Sequence, residues 1–233
     1  MGVDFNNHYY GTINIGSFPI WITDTVISTL IIAAILVIFT IYVNISIRKF
    51  KRIPKGFQNV IECLVDMMDK FTRSTMGDEN GCFAFWFFGV FVFILFSNLS
   101  GLLGMRPPTA DLATTLALGL TTFGIIHIGG MVKNTKQYFK DYVDPYPFFL
   151  PINLIGELAL PVSLSFRLFG NILGGLIILG MVYSALPTVL KFVIPPVLHG
   201  YFDVFSGSLQ AYIFVILSLT FIAQKLPSKE GIS

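Results

Sequence analysis

Apolar positions in this chain come in long runs, and five of them set the architecture. The first is Val26 to Ile47, and it stops at Arg48, Lys49, Lys51 and Arg52. Lys55 to Arg73 follows a different pattern. Phe57, Val60, Ile61, Leu64, Val65 and Met68 recur at helical spacing, with Glu62, Asp66, Asp69 and Lys70 between them. One apolar stripe beside a charged face predicts an amphipathic helix that is too polar to span a membrane. It lies along the membrane surface or packs against its own protein, and the pattern fits both.

The second apolar run, Cys82 to Leu103, passes through Asn98 and Ser100. The segment Arg106-Pro107-Pro108-Thr109-Ala110-Asp111 then breaks the helix at its double proline, and Asp111 can cap the next one. The third run, Ala113 to Val132, is rich in Thr and Gly, a composition suited to close helix packing. Lys133 to Pro147 reads as a polar, aromatic linker. Two longer runs remain, Phe149 to Leu186 and Thr188 to Gln224, with Pro187 in the turn between them. Each exceeds the roughly 20 residues that a perpendicular span needs. Each must therefore tilt, bend or leave the bilayer. They form an antiparallel hairpin, and Pro195 and Pro196 bend or interrupt its second arm.

The pattern predicts an all-α integral membrane protein with a single membrane domain over 1–233. It has about five transmembrane helices: 26–47, 82–103, 113–132 and the long tilted hairpin of 149–224. An amphipathic interfacial helix occupies 55–73. Composition supports this class: 54% of residues are hydrophobic and only 12% charged, against about 25% charged in soluble domains. A net charge of +2 is too small to suggest nucleic acid as a partner. Cys63 and Cys82 lack metal-ligand spacing and read as free thiols. The first ten residues contain no Lys or Arg, unlike a secretory or transit peptide, so the expected home is a bacterial cytoplasmic membrane.

Lys and Arg also set an orientation. Arg48, Lys49, Lys51, Arg52, Lys55, Lys70 and Arg73 fall on one side with Lys133, Lys136, Lys140, Lys225 and Lys229. Only Arg106 and Lys191 fall on the other. Five spans then run from an outside N-terminus to a cytoplasmic C-terminus. No internal repeat supports an inverted-repeat transporter.

Within the hairpin the charged residues are Glu157, Arg167, Lys191 and Asp203. Lys191 is near the turn and can snorkel. A charge near the bilayer centre costs about 2.5–3.5 kcal/mol on insertion scales, so the other three are functional candidates. The alternative is an internal ion pair that joins helices. Arg167, Gly170, Asn171 and Gly174 share one helix face, whose glycines allow another helix to approach. On the second arm His199, Asp203, Ser206 and Gln210 make a continuous polar stripe, which needs water or polar partners in lipid. Folding the hairpin about Pro187 brings Arg167 level with Gly207 to Gln210. It puts Asp203 on the outer side, near Asn171 and Gly174, and Glu157 toward the cytoplasm. Two polar paths on either side of a fixed positive charge is the expected arrangement. Arginine suits the barrier because it stays protonated.

The stretches Pro151-Ile152-Asn153-Leu154-Ile155-Gly156-Glu157 and Ser165-Phe166-Arg167-Leu168-Phe169-Gly170-Asn171-Ile172 carry a resemblance. So do Arg106 to Leu112 with Thr115-Leu116-Ala117-Leu118, and Leu209-Gln210-Ala211-Tyr212-Ile213-Phe214. Together the chain resembles subunit a of bacterial rotary F-type ATP synthases. That resemblance implies a non-catalytic stator subunit in the Fo sector, beside a rotating c-ring. An ion enters by one half-channel, neutralises a ring carboxylate, rides the ring and leaves by the other half-channel. The essential arginine corresponds to Arg167, its polar neighbours to Asn171 and Gln210, and a cytoplasmic half-channel carboxylate to Glu157. Gly170 and Gly174 would meet the ring.

Many bacterial members have a glutamate nine residues after the arginine and a histidine seven before the glutamine. Here those positions are Leu176 and Asp203. The outer carboxylate is therefore assigned to Asp203, with Ser206 on the same stripe. His199 either extends that path or is an interfacial histidine. The implied partners are the c-ring, the b subunits of the peripheral stalk, the remaining Fo and F1 subunits, and lipid. No cofactor and no metal site are expected, and no GxxxxGK[ST] phosphate loop is present. The rival expectation is a stand-alone channel or secondary transporter. The coupling ion, H⁺ or Na⁺, is selected mainly in the ring.

Overall fold

A backbone in hydrocarbon must satisfy its own amides, and a single apolar segment can do so only as a helix. In a computed structural model of the chain, which describes residues 9–15, 18–48, 50, 54–143 and 146–225, five helical segments are long and apolar enough to cross a membrane. They are Asp24–Ile47, Phe83–Leu103, Leu112–Val132, Leu150–Ala185 and Leu190–Lys225. Lys49, Lys51, Arg52 and Lys229, which contribute to the charge asymmetry, lie outside the described residues.

The chain begins with an antiparallel pair, β1 (Tyr9–Ile15) and β2 (Phe18–Thr23), which the apolar pattern did not predict. Helix α1 (Asp24–Ile47) follows, then the amphipathic α2 (Phe57–Met76). Helix α3 (Phe83–Leu99) ends in a 3₁₀ turn at Ser100–Leu103, and α4 is Leu112–Val143. The expected linker after Val132 is thus helical as far as Val143. Its polar residues are compatible with helix, and the next breakers in the sequence are Pro145 and Pro147.

Helix α5 (Leu150–Ala185) runs through Pro161. The second arm contains α6 (Ile194–His199), a π-helical stretch (Gly200–Ser206) and α7 (Gly207–Lys225). Pro195 and Pro196 follow a break in this arm: a 3₁₀ turn at Leu190–Phe192 ends at Val193, and α6 starts at Ile194. They occupy the first turn of α6, where proline's missing N–H costs nothing. A second irregularity comes at the π-helical stretch.

The residues divide into two compact units. The first comprises 1–49, 92–114 and 168–211, and the second 50–91, 115–167 and 212–233, within the described limits. In the first unit, Asp111 Oδ1 caps α4 by accepting from the amide of Ala113 at 3.0 Å. Its Oδ2 accepts from Thr25 Oγ1 at 3.2 Å, which ties α1 to the start of α4. Asn98 is fully buried, donating to Gly207 O at 2.8 Å and accepting from Thr109 Oγ1 at 2.7 Å.

In the second unit the core is Met68, Met76, Phe87, Ile126, Val215, Leu219 and Ile222. Met68 and Met76 place the C-terminal half of α2 against its own protein, while Phe57, Val60 and Leu64 stay exposed. On its polar face Lys70 pairs with Asp66 and Arg73 with Asp69, both at 2.7 Å. These hydrogen bonds raise both basic groups above their ordinary range. The close packing expected of α4 occurs at Gly119, where a Cβ would fall 2.8 Å from the carbonyl oxygen of Pro161 on α5.

Candidate functional site

Asp203 sits in the π-helical stretch and is 7% exposed. Short π segments often mark functional positions, because the wider turn re-aims side chains. The Oδ2 of Asp203 lies 2.6 Å from Nδ1 of His199, one turn earlier. The Nε2 of that histidine lies 3.2 Å from the hydroxyl of Tyr183 on α5. Three titratable groups thus form a chain, Tyr183 to His199 to Asp203, within the first unit. The structure places His199 against Asp203.

The small residue that makes room for Asp203 is Gly101, in the 3₁₀ turn after α3. A Cβ there would lie 2.9 Å from Asp203 Oδ2. Gly174 makes no such contact: a Cβ there would meet no atom within 4 Å. Asn171 likewise meets Ser206 rather than Asp203. Ser206 Oγ donates to Asn171 Oδ1 at 2.9 Å, and Asn171 Nδ2 reaches the Ser206 carbonyl at 3.5 Å. Gly175 permits this approach, because a Cβ on it would be 3.3 Å from Phe202 Cβ. Gln210 is buried, and its Nε2 has no hydrogen-bond partner among the described residues. All of these lie in the first unit.

The second unit holds its own polar group. Glu157 on α5 pairs with Lys225, the last residue of α7, at 2.5 Å. On α4, His127 Nδ1 lies 2.7 Å from the Tyr138 hydroxyl, and the rings of Phe123 and His127 meet edge to face. Tyr183, Gly101, Lys225 and Tyr138 were all missed as site residues. Lys225 had been counted only as a tail charge, and Tyr138 falls in the segment read as a linker. On a hairpin folded about Pro187, Tyr183 is level with Lys191 rather than with His199, so the register carried no signal for their contact.

Arg167 lies on α5, ten residues beyond Glu157 and four before Asn171. It is exposed on the surface of the chain and makes no hydrogen bond or ion pair among the described residues. The glycines sharing its helix face, Gly170 and Gly174, are open in the same sense: a Cβ on either would touch nothing within 4 Å. Among the described residues no group of three or more His, Cys, Asp and Glu is placed to hold a metal ion.

The family model described as ATP synthase A chain matches residues 26–223. The chain is 37% identical to ATP synthase subunit a of Moorella thermoacetica, covering 88% of this chain and 91% of that one. It is 36% identical to ATP synthase subunit a of Limosilactobacillus reuteri, over 88% of this chain and 92% of that protein. It is 32% identical to the protein named ATP synthase subunit a, sodium ion specific, of Propionigenium modestum, over 91% of this chain and 76% of that one. With five spans, two polar groups and an unpartnered arginine on one long helix, the chain belongs to the family of ATP synthase subunit a, the non-catalytic stator that moves the coupling ion through the membrane sector.

Proposed function

We propose that Arg167 is the fixed positive barrier between two ion paths in this subunit. The outer path is marked by Asp203, His199, Ser206, Asn171 and Gln210, and the cytoplasmic path by Glu157. The observation that supports it best is the exposure of Arg167 without a partner among the described residues. An arginine in a membrane span is costly unless something pairs with it. A partner missing from this chain is expected on another. A carboxylate carried by a helix of the c-ring fits that need in charge. Gly170 and Gly174 fit it in shape, because they let a helix come close on the same face.

The ion then enters along one path, discharges a ring carboxylate, and is released into the other when Arg167 attracts that carboxylate. Arg167 cannot give up its proton to form a leak. One charge crossing 100 mV yields about 2.3 kcal/mol, so many crossings must be collected by rotation. The b subunits and the rest of the complex hold this chain still against that torque. The N-terminus is placed outside and the C-terminus in the cytoplasm, as the Lys and Arg distribution indicates.

Arg167→Ala tests the proposal. ATP-driven ion pumping by the assembled complex should be abolished, while ATP hydrolysis by its soluble sector continues. Pumping at the wild-type rate would remove Arg167 from the role given to it.

A further inference from the structure

A salt bridge in the second unit ties Glu157 to Lys225. The side chains of Glu157 and Lys225 are 13% and 20% exposed, and their contact of 2.5 Å joins α5 to the end of α7. The second carboxylate oxygen, Oε2, is shielded from solvent and has no hydrogen-bond partner among the described residues. Among the titratable groups of α4, His127 and Tyr138 bond to each other, Nδ1 to hydroxyl, at 2.7 Å. Gly130 of α4 leaves space at this point: a Cβ there would lie 2.9 Å from the Tyr138 ring and 3.9 Å from Lys225 Cβ.

A carboxylate withdrawn from water needs a compensating charge. Lys225 supplies it, occupying the place a passing cation would otherwise take. The remaining oxygen faces no water from which an ion could arrive. A carboxylate engaged in this way can shape the potential along a path without binding what moves through it.

We propose that Lys225 is a positioning residue for the path that Glu157 marks, holding Glu157 as a fixed wall charge that the ion passes rather than a station at which it stops. The proposal rests on the assignment of Glu157 to the cytoplasmic path. Lysine removal strands Glu157, which then captures the passing cation in place of the ammonium and slows its exit.

The test uses the purified complex in liposomes, with ATP synthesis driven by imposed pH and sodium gradients and a potassium diffusion potential. Rates are expressed per assembled complex, so a purely structural role would change the amount of subunit a but not the turnover. Lys225→Gln should slow turnover on the order of tenfold. Lys225→Arg, which keeps the charge, should restore most of the rate. Glu157→Gln with Lys225→Gln, which strands no charge, should be faster than Lys225→Gln alone. Wild-type turnover in Lys225→Gln with a slow Glu157→Gln would overturn the proposal while leaving Glu157 on the path. A double variant no faster than Lys225→Gln would also overturn it, since Lys225 would then act independently of Glu157. Wild-type turnover in both single variants would remove Glu157 from the path, and the proposal with it.

Discussion

His199 and Asp203 meet through Nδ1 and Oδ2 at 2.6 Å, one turn apart, across the start of the π-helical stretch. The contact fixes more than a distance. When Nδ1 carries the proton and donates it to the carboxylate, a neutral ring leaves Nε2 as an acceptor. The Tyr183 hydroxyl, 3.2 Å away, is placed to donate to it. The two contacts therefore select one tautomer, and a charge change at Asp203 is felt at Tyr183. Asp203→Asn keeps the shape and removes the acid. ATP synthesis should fall by about tenfold or more, as for loss of a positioned proton-transfer group. Synthesis at the wild-type rate would exclude Asp203 from the outer path.

Tyr183→Phe removes only the far hydrogen bond of that chain. One such bond is worth about 0.5–1.5 kcal/mol, so the rate should drop about 2- to 10-fold. The pH profile of ATP synthesis is the more informative measurement. If Tyr183 sets the tautomer of His199, the profile should move with the variant, whereas a hydroxyl that only packs would leave it in place.

Gly101→Ala acts on Asp203 from the other side. The added methyl would stand 2.9 Å from Oδ2, too close without a shift. Overpacking of this kind costs about 1–3 kcal/mol. Here the carboxylate must give way, because the other side of the clash is backbone. Loss of synthesis close to that of Asp203→Asn is expected, with subunit a still present in the complex. An unaltered rate would mean that Asp203 does not depend on its present seat.

Asn98 supports the same region structurally. It bridges Gly207 O and Thr109 Oγ1 while wholly buried. Asn98→Ala leaves the wholly buried Thr109 hydroxyl without its acceptor, at a cost of about 1–3 kcal/mol. Earlier heat release of subunit a from the purified complex should report it, and unchanged heat resistance would count against the network.

The helical spans could be read from sequence because their signal is simple: length, hydropathy and breakers. Arg167, Asp203 and Glu157 stood out as candidates for a related reason, since a charge in an apolar run is costly and calls for a partner. What surrounds each of them could not. The π-helical stretch leaves the same intervals between His199, Asp203, Ser206 and Gln210 as an α-helix would, so the stripe carries no trace of it. Gly101 belongs to the turn after α3, and only the folded chain brings it to Asp203. Lys225 looked like a topological charge at a helix end, and its approach to Glu157 depends on the register of two helices. Pro195 and Pro196 were legible as a break, which falls at Val193, and they also open α6, because proline starts a helix as readily as it stops one.

Gly170 offers a prediction in which folding and function separate. Glycine inside a helix is destabilising by about 0.5–1 kcal/mol relative to alanine, so its place in α5 calls for a reason. Nothing among the described residues supplies one, since a Cβ at Gly170 would meet no atom within 4 Å. The reason proposed is the close passage of a ring helix beside Arg167, one turn away. Gly170→Leu should therefore leave the chain as stable as before and incorporated in the membrane. Coupled ATP synthesis should nevertheless fall sharply, because the new side chain projects into the space the ring needs. Gly170→Ala should have a smaller effect in the same direction. If the leucine variant couples ion flow to synthesis at the wild-type rate, this face of α5 does not meet the ring, and the unpaired charge of Arg167 must be answered from elsewhere.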